Sequence, residues 1–238
     1  MKSTLIVLLC WLPLGAVCQI SNEDLKTISM VRDLERESRP FRSANLGPQV
    51  VGDPYYDKNW NPGRITLFRE EKTYKLKGIK YDMLNNGLDV MIDNNIKSLD
   101  GTLVKSFDYT DSLTSLPHSF VNGKDFIVDG TPLSGFLEVL CWGKLDVYSY
   151  TQTTLLRPNY NTAMQSGSEN YTISKKKSML YGPGKELRAL NKKELTKIWA
   201  EKESEMKEFQ KINKLSLGKE RDLLLMVDYF NTLGAAEN

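Results

Sequence analysis

The side chains with the most chemical potential in this 238-residue chain are an isolated carboxylate, an isolated imidazole and an isolated thiol. Glu138 stands inside the apolar run Phe136-Leu137-Glu138-Val139-Leu140. Desolvation there can keep a lone carboxyl protonated and make it an acid. An outward-facing position on a strand of period two explains it more simply, and that reading is favoured. His118, the single histidine, follows Pro117 with no histidine or cysteine beside it, so a zinc site would have to be completed by carboxylates. Cys141 lies among apolar neighbours and reads as a small strand residue, because a thiol nucleophile would need an imidazole partner. Asp93-Asn94-Asn95 opens like a calcium loop, but Lys97 takes a ligand position and the required Gly does not follow, which leaves a turn. Gly182-Pro183-Gly184-Lys185 lacks the spacing and the Ser or Thr of a phosphate loop. No catalytic, cofactor or metal residue is therefore assigned, and no cofactor is expected.

Aromatic residues are the positive candidates for binding. Tyr55, Tyr56 and Trp60 fall in a turn-rich stretch where exposed rings can stack on sugars or anchor a protein. The plainer reading has them plugging the end of a sheet. The formal charge of +2 gives no electrostatic case for nucleic acid, which needs a concentrated basic face. The one local basic run, Lys175-Lys176-Lys177, reads as a solvated edge that discourages aggregation. A membrane β-barrel is disfavoured because lysines at 72, 75, 77 and 80 touch both faces of one strand and the chain ends in helical patterns.

The elements that must position these residues form an α+β pattern. Ser21–Glu37 reads as a short N-terminal helix with Leu25, Ile28 and Leu34 on one face, and a Pro- and Gly-bearing, linker-like segment follows to Gly63. Residues 64–180 read as short strands joined by turns, an antiparallel β-meander, with Asn86-Gly87 and Asn122-Gly123 as hairpin turns. The strands expected are Ile65–Phe68, Tyr74–Asp82, Leu88–Ile92, Leu103–Tyr109, Ser119–Asn122, Asp125–Val128, Phe136–Cys141, Leu145–Tyr150, Thr153–Leu156 and Tyr171–Met179. A pair of helices closes the chain over residues 191–233. Asn191 caps the first, which carries Leu195, Ile198, Trp199, Met206, Phe209 and Ile212; Ser216 caps the second, which Asn231–Gly234 ends. The expected domains are 1–18 as a signal peptide, 19–63 as helix and linker, and 64–238 as one α+β unit.

Lys2, the apolar run Thr4–Val17 and the small residues Ala16 and Cys18 at −3 and −1 make Met1–Cys18 a secretory signal cleaved before Gln19. A run of about 14 residues is short of the roughly 20 needed to span a bilayer, so no transmembrane span is expected in the mature chain. A lipid anchor on Cys18 is the lesser alternative, since lipoprotein processing favours Leu at −3 and a small residue at −1, where Gly15 and Val17 stand. Cleavage leaves Cys141 as the one thiol and excludes an intramolecular disulfide.

Gly52-Asp53-Pro54-Tyr55-Tyr56 with Trp60-Asn61-Pro62-Gly63 resembles the opening of a broad group of uncharacterised exported proteins from Bacteroidota. Ile79-Lys80-Tyr81-Asp82 running into Asn86 and Leu88-Asp89-Val90, the strand Phe136–Leu140 with Gly143, and Asn213-Lys214-Leu215 through Asp228-Tyr229-Phe230-Asn231 are similar to that group's later blocks. The resemblance implies export and a similar fold, with no activity or site residue to carry over. The expected function is thus an exported, periplasmic or extracellular cell-envelope protein, a non-enzymatic binding or scaffold module for a protein or glycan partner. The alternative is a hydrolase whose carboxylates converge only in the fold. Oligomeric state is not legible. N-terminal mass spectrometry of the exported protein should find Gln19 at its start; a diacylated Cys18 would replace the soluble form with an anchored one.

Overall fold

The computed structural model describes Leu34, Arg39–Pro40 and residues 50–235 apart from Glu70, Glu71, Asn94 and Thr162. The expected signal peptide, Cys18 and Gln19 lie outside the described residues. So does the expected N-terminal helix, except for Leu34, which is helical and 1% exposed in the core.

The strands are β1 (Arg39–Pro40), β2 (Val50–Val51), β3 (Asn61–Leu67), β4 (Thr73–Asp82), β5 (Gly87–Ile92), β6 (Asn95–Asp100), β7 (Val104–Thr110), β8 (Pro117–Asn122), β9 (Ile127–Val128), β10 (Thr131–Pro132), β11 (Phe136–Cys141), β12 (Val147–Leu156), β13 (Tyr171–Tyr181) and β14 (Glu186–Ala189). Three α-helices follow, α1 (Lys192–Ile198), α2 (Glu203–Ile212) and α3 (Glu220–Ala235). The spatial order is β1-β6-β5-β4-β3-β7-β8-β11-β12-β13-β14-β9-β10, with β2 on β13. The architecture is a large, mostly antiparallel sheet with helices near the C-terminus, as its sequence implies. No described helix is long and apolar enough to cross a membrane.

One connection shapes the whole sheet. β6 and β7 are separated by β5, β4 and β3, yet only Gly101–Leu103 joins them. Laid flat, four strand spacings are about 19 Å. A three-residue 3₁₀ turn advances only about 8 Å. The pairings also place Asp100 beside the Asp82 end of β4 and Val104 beside its Thr73 end. The sheet must therefore coil until the end of β6 meets the start of β7, so the chain departs from a simple meander here.

The corner is held by backbone and amide groups. Gly101 N–H donates to Asn86 O at 3.0 Å, and Asn122 Nδ2 donates to Gly101 O and Val104 O at 2.8 and 2.7 Å. This corrects the sequence reading of Asn122-Gly123 as a hairpin turn. Asn122 has an ordinary φ of −68° and caps a 3₁₀ turn, its Oδ1 accepting from Lys124 N–H at 3.0 Å. The two-residue hairpin of that region is Asp129-Gly130, with φ of 49° and 76°, joining β9 to β10. At the first expected turn the hairpin does form, but across residues 83–86, with Asn86 at φ 51° and Gly87 already in β5.

Coiling puts an aromatic core inside the sheet. Phe107 and Phe120 stack at 4.5 Å between centroids, and Phe136 stands edge-on to Phe107 at 5.0 Å. The Tyr81 hydroxyl crosses from β4 to accept from Phe136 N–H on β11 at 3.1 Å. Beyond this core, β11–β13 are covered on both faces. One face packs Leu145, Val147 and Tyr181 against Leu195, Trp199, Met206 and Val227 of the helical region. The other buries Leu137, Tyr148 and Leu180 under the segment leading into β9 and β10.

Several boundaries differ from the pattern read in the sequence. The sheet reaches beyond 64–180, beginning at Asn61, taking in β1 and β2 from the linker-like segment, and ending with β14. β6 has no counterpart in the sequence reading. The expected strands Leu145–Tyr150 and Thr153–Leu156 merge into one, β12, which starts only at Val147 and whose ten residues all pair with β13. β2–β13 and β14–β9 are parallel pairs. Asn191 does cap the first helix, its Oδ1 accepting from Glu194 N–H at 3.1 Å. That helix breaks at the 3₁₀ turn Ala200–Lys202 while Trp199 stays buried against Phe230, which makes three helices rather than a pair; Ile212 is 69% exposed, off the buried stripe. The last helix starts at Glu220, past Ser216, and continues through Asn231 because that side chain clamps Leu145 N–H and O.

A Cβ on Gly101 would stand 2.2 Å from Asn86 O, a backbone atom that cannot step aside. Gly101→Ala should lower the urea midpoint by the equivalent of about 1–3 kcal/mol. An unchanged midpoint would mean that this corner does not hold the coil.

Candidate functional site

Glu138 leads the site, and its placement overturns the outward-facing reading. It is 6% exposed, with Phe120 of β8 as its neighbour on one side and Ser149 of β12 on the other. Alternation could not reveal this, because both faces of β11 are covered and both sets of side chains are apolar. The coil of the sheet then supplies two partners distant in sequence. His118, on β8, brings Nδ1 to 2.6 Å from Glu138 Oε1. Tyr56 donates its hydroxyl to Oε2 at 2.7 Å.

Both partners are positioned firmly. Tyr56 N–H donates to Tyr81 O on β4 at 2.9 Å, and its ring meets Phe120 edge-on at 5.1 Å. His118 stacks on Tyr109 with centroids 5.2 Å apart, and its side chain is 24% exposed. The carboxylate orients the imidazole through Nδ1, and Nε2 has no partner among the described residues. Burial, then the charge and hydrogen bond of Glu138, push the Tyr56 hydroxyl far above the ordinary tyrosine value. Tyr109 is raised in the same direction by burial and by the charges of Asp57, Glu138 and Asp111. Opposite Glu138, Ser149 Oγ is buried with no hydrogen-bond partner among the described residues, and so is Thr153 Oγ1 further along β12.

A second network lies under Tyr55. Its hydroxyl donates to Asp89 Oδ2 at 2.7 Å, and Ser98 Oγ donates to Oδ1 at 2.7 Å. Burial raises the Asp89 pKa, and these two hydroxyls oppose that shift. Lys80 Nζ sits 3.9 Å from the Tyr55 ring centroid and 5.6 Å from that of Trp60. Trp60 packs over Gly78, where a Cβ would come within 3.1 Å of the indole. The three candidate aromatics are thus half-buried at one edge of the coil, with both tyrosine hydroxyls engaged by acids. A third buried acid, Asp82, accepts from Leu84 N–H, Asn85 N–H and Asn85 Nδ2.

Elsewhere, Cys141 is half-buried, and burial followed by the Asp228 charge pushes its thiol up to about 11, which suits an inert strand residue. The lysine run falls on β13, where no described strand pairs with Ser174–Ser178 on the outer side between β2 and β14. Lys177 is held by Glu220 at 2.6 Å, and Lys175 donates to Tyr55 O. Among the described residues, no three of His, Cys, Asp or Glu are grouped to hold a metal ion. Trp142, 69% exposed, walls an open groove of about 680 Å³ against α3. The sequence reading passed over that groove, because Trp142 marked only a turn.

No protein-family model, curated protein or solved structure matches the chain.

Tyr55, Tyr56, Tyr81 and Tyr109 all hold their protons to higher pH when folded than when unfolded. Their contribution to stability is complete below about pH 10, the unfolded tyrosine value, and is lost as pH rises beyond it. Urea midpoints should therefore fall above about pH 10, and Tyr56→Phe should flatten that fall. A native chain whose 11 tyrosines all ionise near the ordinary value would disprove this.

Proposed function

We propose that this chain is an exported, non-enzymatic binding or scaffold module of the cell envelope, with a protein or glycan as its partner. The observation that carries the reading is the saturation of the buried acids. Glu138 spends one oxygen on His118 and the other on Tyr56, Asp89 spends its two on Tyr55 and Ser98, and Asp82 is filled by its own turn. Glu138 and Asp89, so engaged, fix the Asp53–Asn61 segment onto the sheet instead of facing a substrate, each of their carboxylate oxygens already holding a partner. The signal-like N-terminus and the resemblance to exported Bacteroidota proteins support the envelope assignment.

The hydrolase reading has one observation in its favour. His118 is oriented by a carboxylate and keeps Nε2 unpartnered among the described residues, the arrangement of a general base. Against it, the two oxygens of Glu138 are taken by an imidazole and a phenol, and no second carboxyl is hydrogen-bonded to it among the described residues.

Tagged chain beginning at Gln19, used as bait against envelope extract, should retain a specific protein or glycan. His118→Ala should still retain it. Failure to recover any partner, together with hydrolysis of an envelope polymer that His118→Ala abolishes, would replace the binding reading with the hydrolase.

A further inference from the structure

The solvent face of α3 carries a pattern that is complementary to itself. Arg221, Leu224, Leu225 and Asp228 follow the spacing i, i+3, i+4, i+7, so they share one face of the helix. All four line the open groove beside Trp142. Leu225 is 45% and Trp142 69% exposed, large apolar surface for one small area. Arg221 and Asp228 are exposed, and neither has an ion-pair or hydrogen-bond partner among the described residues. The neighbouring Glu220 is already held by Lys177.

We propose that this face docks a second copy of the chain, α3 against α3, antiparallel about a twofold axis between Leu224 and Leu225. The positions dictate that geometry. Arg221 and Asp228 are equidistant from the midpoint of the leucine pair and about 10 Å apart along the helix. Turning a second helix end for end sets each Arg221 against the partner's Asp228, forming two ion pairs around four leucines. A parallel helix would instead set arginine against arginine. Such a contact is isologous, the same patch serving both copies, and it closes at two subunits without propagating. Trp142 flanks each helix and walls the groove beside the leucine cluster, and tryptophan is among the residues enriched at interface hot spots.

The floor under this face is rigid. Cys141 Sγ lies 3.8 Å from Leu224 O, and Asn231 ties the far part of α3 to Leu145 by two hydrogen bonds. Met226, Val227 and Phe230 bury the opposite side of the helix in the core. Exposed Leu225 and half-buried Leu224 are thus presented on a fixed element, which keeps the ordering cost of association low. The contact is independent of whether the module binds a glycan, a protein or a substrate elsewhere.

Sedimentation equilibrium on the chain beginning at Gln19 should show a monomer–dimer equilibrium at micromolar concentration. Arg221→Asp or Asp228→Arg alone places like charges together and should weaken association by at least about tenfold. The double variant R221D/D228R re-forms both pairs with exchanged signs and should restore the original association. Trp142→Ala should weaken it with no change in the urea midpoint. A chain that stays monomeric at high concentration would overturn the proposal, whether or not it still captures an envelope partner. A dimer indifferent to the single reversals, or one that the double variant fails to restore while all variants keep the parental urea midpoint, would place the contact elsewhere.

Discussion

The three-residue passage from β6 to β7 constrains everything else in the molecule. Strands that are four places apart in the sheet, and that end and begin at opposite ends of β4, are joined by Gly101–Leu103 alone. No flat sheet of ordinary spacing satisfies that connection. Coiling satisfies it and at the same time turns the inner faces of β4 and β11 toward each other. The Tyr81 hydroxyl on Phe136 N–H is the direct mark of that approach. Asn122 closes the corner by donating to two carbonyls on either side of the turn, Gly101 O and Val104 O.

The polar interior follows from the same coil. Once β4 faces β11, the segment hung on β4 by Tyr56 N–H lies within reach of Glu138, and β8 brings His118 to its other oxygen. A buried carboxylate is tolerated only when its oxygens are paired, and here the partners come from 82 residues before and 20 residues before it. Asp89 follows the same rule with Tyr55 and Ser98. Tyrosine hydroxyls thus serve as ties between the Asp53–Asn61 segment and the sheet, and their aromatic bodies fill the edge of the core.

The helical layer answers a different need. β11–β13 expose an apolar face beyond the coiled part of the sheet, and α1, α2 and α3 bury it around Trp199, Met206 and Phe230. The break at Ala200–Lys202 is made of good helix formers, so no local signal marks it. It coincides with the burial of Trp199 against Phe230. The outer face of α3, left over from that packing, sets leucines between opposite charges that have no partner among the described residues.

Much of the secondary structure was legible in the residues. The strands around Ile65, Tyr74–Asp82, Leu88–Ile92 and Phe136–Cys141 announce themselves by composition and turn chemistry, and Asn191 announces its helix by its cap. β6 was not legible, because Asn95–Asp100 has little apolar character and exists through its pairing with β5. Asn122-Gly123 was misread for a related reason. The dipeptide fits a hairpin locally, but the corner gives a buried amide two carbonyls to cap. Sequence by itself determined a mostly antiparallel sheet followed by helices. The order of the strands, the burial of Glu138 and its meeting with Tyr56 and His118 were decided only by the tertiary structure. Strand patterns encode which residues are apolar, whereas partners dozens of residues apart are chosen by how the sheet coils, and that is set by connection length and packing together.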